Sequence, residues 1–67
     1  MKEYFVVVVN AQFNIKTSDY SVGNFDNYPT LDQIKDAILS IDGTGTEHSK
    51  FRANYARVEK RYNLQEE

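Results

Sequence analysis

The sequence predicts a small α+β fold: a three-stranded antiparallel β-sheet, elements in the order β-β-α-β, with one helix packed on one face. Three stretches carry that expectation. A long run of alternating apolar residues opens the chain, a capping box leading into an apolar stripe of helical spacing lies in the middle, and a second alternating run closes it. The 67 residues form one domain, 1–67. A domain of this length buries only about 60% of the surface its unfolded chain exposes, so its core is thin.

The opening stretch, Glu3 to Ile15, places Phe5, Val7, Val9, Ala11, Phe13 and Ile15 on one face of a long strand. Its other face begins apolar, at Tyr4, Val6 and Val8, and turns polar at Asn10, Gln12 and Asn14. One face needs the domain's helix, and half of the other is free to meet a partner. A polar, turn-like segment from Lys16 to Asp19 then reverses the chain into a weaker strand around Tyr20 to Phe25, an edge strand or extended arm. Tyr20, Val22 and Asn24 face one way there, Ser21, Gly23 and Phe25 the other, and the glycine marks a bulge.

Asn27-Tyr28-Pro29-Thr30 is the clearest local signal. Pro29 pushes Tyr28 out of the helical region, Thr30 is an N-cap, and Gln33 completes a capping box, so a helix starts at Leu31. Leu31, Ile34, Ala37, Ile38 and Ile41 form its apolar stripe, and Gly43 after Asp42 ends it near Ile41. The polar segment from Gly43 to Ser49 reads as a mobile loop.

The closing stretch fits two templates. As a helix it aligns Phe51, Tyr55, Val58 and Tyr62; as a strand it puts Ala56, Val58, Tyr62 and Leu64 on one face, with Lys60 intruding, and Tyr55, Arg57, Glu59 and Arg61 on the other. The strand is preferred because the long first strand needs a substantial neighbour for its backbone hydrogen bonds.

Composition excludes more than it identifies. Without cysteine there is no disulfide, and a single histidine cannot build a zinc site. No signal peptide fits the N-terminus, and the apolar run from Tyr4 to Val9 is too short to span a bilayer, so a cytoplasmic protein is expected. Gly43-x-Gly45 follows a helix and lacks a third glycine, which makes it a loop and not a nucleotide fingerprint. His48, flanked by Glu47 and Ser49, reads as a solvated loop residue, since adjacent residues rarely point at one another. Asp32 and Asp36 read as a solvated helix flank, because a calcium ion needs six or more oxygens from a shaped loop. No catalytic, cofactor or metal residues are assigned, and an enzyme is not expected.

Three surfaces remain as candidates. Tyr4, Val6 and Val8 with Tyr55 form an apolar patch on the sheet face away from the helix, suited to a two-fold homodimer. Asp19, Asp26, Asp32, Asp36, Asp42 and Glu47, interspersed with Tyr20, Phe25 and Tyr28, form an acidic and aromatic face suited to a basic host protein, including one that normally binds nucleic acid. Lys50, Arg52, Arg57, Lys60 and Arg61, with Phe51, Tyr55 and Tyr62, are the alternative, a phosphate-binding and base-stacking surface. With a net charge of −2, nucleic acid ranks second to a protein partner. In size and simplicity the chain resembles in kind the small proteins encoded by phages and mobile elements, many of which block a host enzyme or defence system by occupying a surface. No motif carries that likeness. The function expected is thus a homodimeric, non-enzymatic, phage-type inhibitor that works by surface occlusion.

Overall fold

A computed structural model describes residues 2–63 and shows the expected order of elements: β1 (Lys2–Phe13), β2 (Lys16–Phe25), α1 (Leu31–Leu39) and β3 (Phe51–Asn63). The strands form one antiparallel sheet in the order β2-β1-β3. The longest apolar run therefore occupies the centre, where both of its edges are hydrogen-bonded. Among the described residues no helix is long and apolar enough to cross a membrane.

The helix packs over one face. Val7 and Val9 are wholly buried there with Ala37, ringed by Val22, Phe25, Ile34, Ile38, Ile41, Ala53, Ala56 and Val58. Aromatic rings extend this layer at both ends of the sheet. Phe13 meets Phe51 at 4.5 Å, Tyr20 meets Phe51 edge-on at 5.6 Å, and Phe5 meets Tyr28 edge-on at 5.6 Å.

Two bulges decide which side chains reach this face. On β2, Asn24 pairs with Val6 and Val22 with Val7, leaving Gly23 as an extra residue at φ +77°. The bulge corrects the expected faces: Phe25 joins Tyr20 and Val22 on the helix side, while Asn24 turns away. On β3, Tyr55 pairs with Asn10 and Ala53 with Ala11, so Asn54 is the extra residue. Phe51 and Ala53 consequently share a face with Ala56 and Val58. The closing stretch is thus a strand, as preferred; its bulge adds Phe51 to the face of Ala56, Val58 and Tyr62, while Tyr55, which the helix template set beside them, stays on the other face. Leu64 lies outside the described residues.

Other expectations shift at their boundaries. The chain reverses at Asn14 and Ile15, and β2 begins at Lys16 instead of Tyr20. Asn14 adopts φ +59°, a conformation that asparagine tolerates better than most residues, and Ile15 is left 98% exposed and outside the core. Thr30 caps α1 as expected: its Oγ1 accepts from Gln33 N at 3.2 Å, and its own N–H donates to Gln33 Oε1 at 2.9 Å. Leu31 opens the helix but points outward, 84% exposed. The last turn closes at Leu39, two residues before the expected end, and Ile41 still packs on the core.

The segment after the helix is tied down by backbone bonds. Gly43 N–H donates to Phe51 O and Phe51 N–H to Thr44 O, each at 2.8 Å, and Gly45 bridges to Lys50. Thr46 Oγ1 accepts from the N–H groups of His48 and Ser49. The Asp42 carboxylate accepts from Ala53 N–H at 2.9 Å, so this acid has a structural task beside the bulge.

Candidate protein-binding surface

The sheet sorts the charges of the chain. On the open face, away from the helix, the register places Lys2, Arg52, Arg57 and Arg61 with only Asp19 and Glu59. The rest of the described residues carry six acids, Glu3, Asp26, Asp32, Asp36, Asp42 and Glu47, against Lys16, Lys35, Lys50 and Lys60. Two surfaces of opposite sign result.

Among the described residues the open face has no second layer, yet Val6 and Val8 are each only 2% exposed. Long side chains of β3 cover them. Val8 lies between Ser21 and Arg57, and Val6 between Asn24 and Glu59. Arg57 reaches across β1 to Asp19 on β2 at 3.4 Å, and Arg61 crosses the same way to Ser21 Oγ at 3.4 Å. Glu59 holds both guanidiniums, at 2.8 Å from Arg57 and 2.9 Å from Arg61. Asn10 extends the network, donating to Asp19 at 2.8 Å and accepting from Asn54 at 2.9 Å. The aliphatic stems of the two arginines lie over the valines while their charged ends stay wet.

This arrangement alters what two of the expected surfaces offer. Of the apolar set, Val6 and Val8 are already covered within one chain; Tyr55 is 58% exposed and Tyr4 half-buried, so these four residues do not form one open apolar patch. Of the basic set, Arg52, Arg57 and Arg61 share the open face with Tyr55, but Lys60 lies on the helix side, paired with Glu3 at 3.2 Å, and Lys50 sits beside the loop. Phe51 and Tyr62 also face the helix side. Arg57 and Arg61 are committed to carboxylates rather than displayed for phosphate.

The same pairs hold two carboxyls below their ordinary range: Asp19 through the hydrogen bond from Asn10 and the charge of Arg57, and Glu59 through its bonds from Arg61 and Arg57. A depressed carboxyl stabilises the fold at neutral pH and loses that contribution as pH falls through its lowered folded value. Thermal stability should therefore decline on acidification below about pH 4. Melting curves of Asp19→Asn and Glu59→Gln, taken between about pH 5 and pH 2, should show a flatter decline than those of the unmodified chain.

The acidic set is also divided. Asp19 belongs to the open face, Tyr20 and Phe25 pack against the core, Asp26 pairs with Lys2 at 3.8 Å, and Glu47 lies in the loop. What remains together is the outer side of α1. At a hundred degrees per residue, Leu31, Lys35, Leu39, Asp32 and Asp36 follow one another around a single arc. Leu31 is 84% exposed, Leu39 59%, and Tyr28, held by Phe5 just before the helix, 65%. Leu31, Asp32, Ile34, Lys35 and Ile38 line a shallow apolar groove along this flank. Leu31 and Leu39 were missed in the sequence as surface residues; the signal available was that helix stripe residues Ile34, Ala37, Ile38 and Ile41 already fill the core-facing arc.

His48, with Gln12, Asn14, Glu47, Ser49, Lys50 and Arg52, lines a polar recess at the end of the sheet. Among the described residues no three His, Cys, Asp or Glu side chains are grouped to hold a metal ion. The fold and this surface define a small α+β domain with a charge-sorted sheet and an acidic, leucine-bearing helix. Compared with the profiles of protein families, with curated proteins and with solved structures, the chain matches none.

Proposed function

We propose that this chain is a small, non-enzymatic protein-binding module that docks the outer side of α1 on a basic surface of a host protein and blocks that surface by occupying it, in the manner of phage-encoded inhibitors. The observation that supports the reading is the combination, on one short helix, of exposed apolar anchors with carboxylates: Leu31 and Leu39 beside Asp32 and Asp36. Exposed leucines supply buried contact on docking, and acids steer the approach to a basic groove. Asp32 also sits in the first turn, where the helix dipole favours an acid.

The test is capture from host lysate, with and without nuclease treatment, by the unmodified chain and by a variant carrying Asp32→Lys, Asp36→Lys and Leu31→Ser. Reversing an acid in the first turn costs the helix about 0.5–1 kcal/mol, too little to unfold the domain, and circular dichroism checks that the fold persists. A protein retained by the unmodified chain should bind the folded variant at least about tenfold more weakly. Equal retention by both would refute the docking surface. Retention that disappears with nuclease would instead assign binding to nucleic acid and to the basic open face.

A further inference from the structure

Beyond that reading, β3 is an edge strand of the sheet, paired on one side only with β1. Bonds from outside the sheet reach the outer edge of β3 at its start: Phe51 O accepts from Gly43 N–H, Phe51 N–H donates to Thr44 O, and Ala53 N–H donates to the Asp42 side chain. From Tyr55 to Tyr62 no described residue outside the sheet bonds to its backbone. Phe51 and Ala53, whose side chains face the helix, send their backbone groups outward. In a strand the side-chain face and the lateral direction of the peptide alternate together. Val58 and Lys60, also on the helix side, therefore present their N–H and C=O groups at the open edge.

An open edge is a template for another strand, and the side chains of this one select the partner. When a strand pairs antiparallel with its own copy, one residue lies on the two-fold axis and its neighbours meet symmetrically. With Arg57, Glu59 or Lys60 on the axis, that residue faces its own like charge. With Val58 on the axis, Arg57 of each copy faces Glu59 of the other, Arg61 faces Tyr55, and valine meets valine. This register sets opposite charges and a cation over an aromatic ring directly across the interface. We propose that two copies of this chain associate by antiparallel pairing of their β3 edges about Val58, joining two three-stranded sheets into one of six strands. The valines under the arginines take no part in it. The helix of each copy stays free on one side of the continuous sheet.

Charge reversal in separate chains tests this directly. Arg57→Glu sets glutamate against glutamate across the axis, and Glu59→Arg sets arginine against arginine, so each variant alone should dissociate about tenfold more readily than the unmodified chain in sedimentation velocity. Mixed together, the two variants restore both opposite-charge pairs between chains, and a mixed dimer should form with the affinity of the original; loss of the Arg57–Glu59 pair within each chain cannot reproduce that rescue. If either variant fails to fold, amide exchange on the unmodified chain takes its place, and the amides of Val58 and Lys60 should gain protection as concentration rises. A chain that stays monomeric at millimolar concentration, a mixture no more associated than its components, or dimerisation without protection of those amides would each overturn the proposal.

Discussion

Val9→Asp is expected to leave the chain unfolded at neutral pH. Val9 is wholly inaccessible in the layer between sheet and helix, where its neighbours are hydrocarbon. An ionised carboxylate placed there loses its hydration and finds no compensating partner, a cost of several kcal/mol. A domain of this length holds a net stability of only about 3–10 kcal/mol. Burial raises the pKa of the new acid, so whatever fold remains should strengthen below the ordinary carboxylate range and vanish as pH rises through it. Loss of amide dispersion in NMR spectra at pH 7, with partial recovery in acid, would show this. Val9→Ala should retain the fold and lose about 2 kcal/mol. Val8→Asp is the informative contrast. It is nearly as buried as Val9, but it lies under Arg57 and within reach of the charged lid, where a carboxylate can find a guanidinium. The milder outcome at Val8 distinguishes a face closed by another layer from one closed by its own side chains.

The second large effect is expected at the β2 bulge. Gly23 has φ +77°, and a Cβ built there would sit 2.9 Å from two ring atoms of Phe25. Gly23→Val therefore combines the left-handed penalty, about 1–2 kcal/mol, with displacement of an aromatic ring from the core, for a total of about 2–4 kcal/mol. Gly43→Ala separates the two contributions. Its φ is +83° but its surroundings are empty, so only the backbone cost applies, about 1 kcal/mol. Urea midpoints of the two variants give the comparison, and equal losses would show that the Phe25 contact contributes nothing.

Much of the architecture was legible because local and periodic signals agreed. The β1 alternation, the Thr30 to Gln33 capping box and the inward arc of α1 each followed from spacing alone. What was not legible depended on residues that break spacing. A bulge adds one residue to a strand and reverses the parity of everything beyond it, so alternation sets Phe25 with Ser21 and Gly23, and leaves Phe51 without a place on the apolar face of β3. The turn at Asn14 was hidden because Ile15 continued the apolar alternation by one more step while facing solvent. The covering of Val6 and Val8 was hidden for a different reason: alternation states which residues share a face, but not that an arginine from the strand beside them will reach across to an acid on the strand beyond. The acidic and basic blocks of the chain likewise appeared as two surfaces in sequence, whereas the fold splits each of them between the faces of the sheet.

The strand order β2-β1-β3 also fixes a timetable for folding. β1 and β2 are joined by two residues and close as a local hairpin, an event on the order of microseconds. The other edge of β1 is completed by a strand that begins at Phe51, after the helix and its loop have been made. During synthesis the most apolar segment of the chain must therefore wait, with one row of backbone groups open, until nearly all the described residues have left the ribosome. At about 5–20 residues per second, that interval lasts seconds, far longer than the hairpin takes to form. The period of greatest vulnerability to misassociation thus belongs to the unfinished chain, and it ends only when β3 arrives.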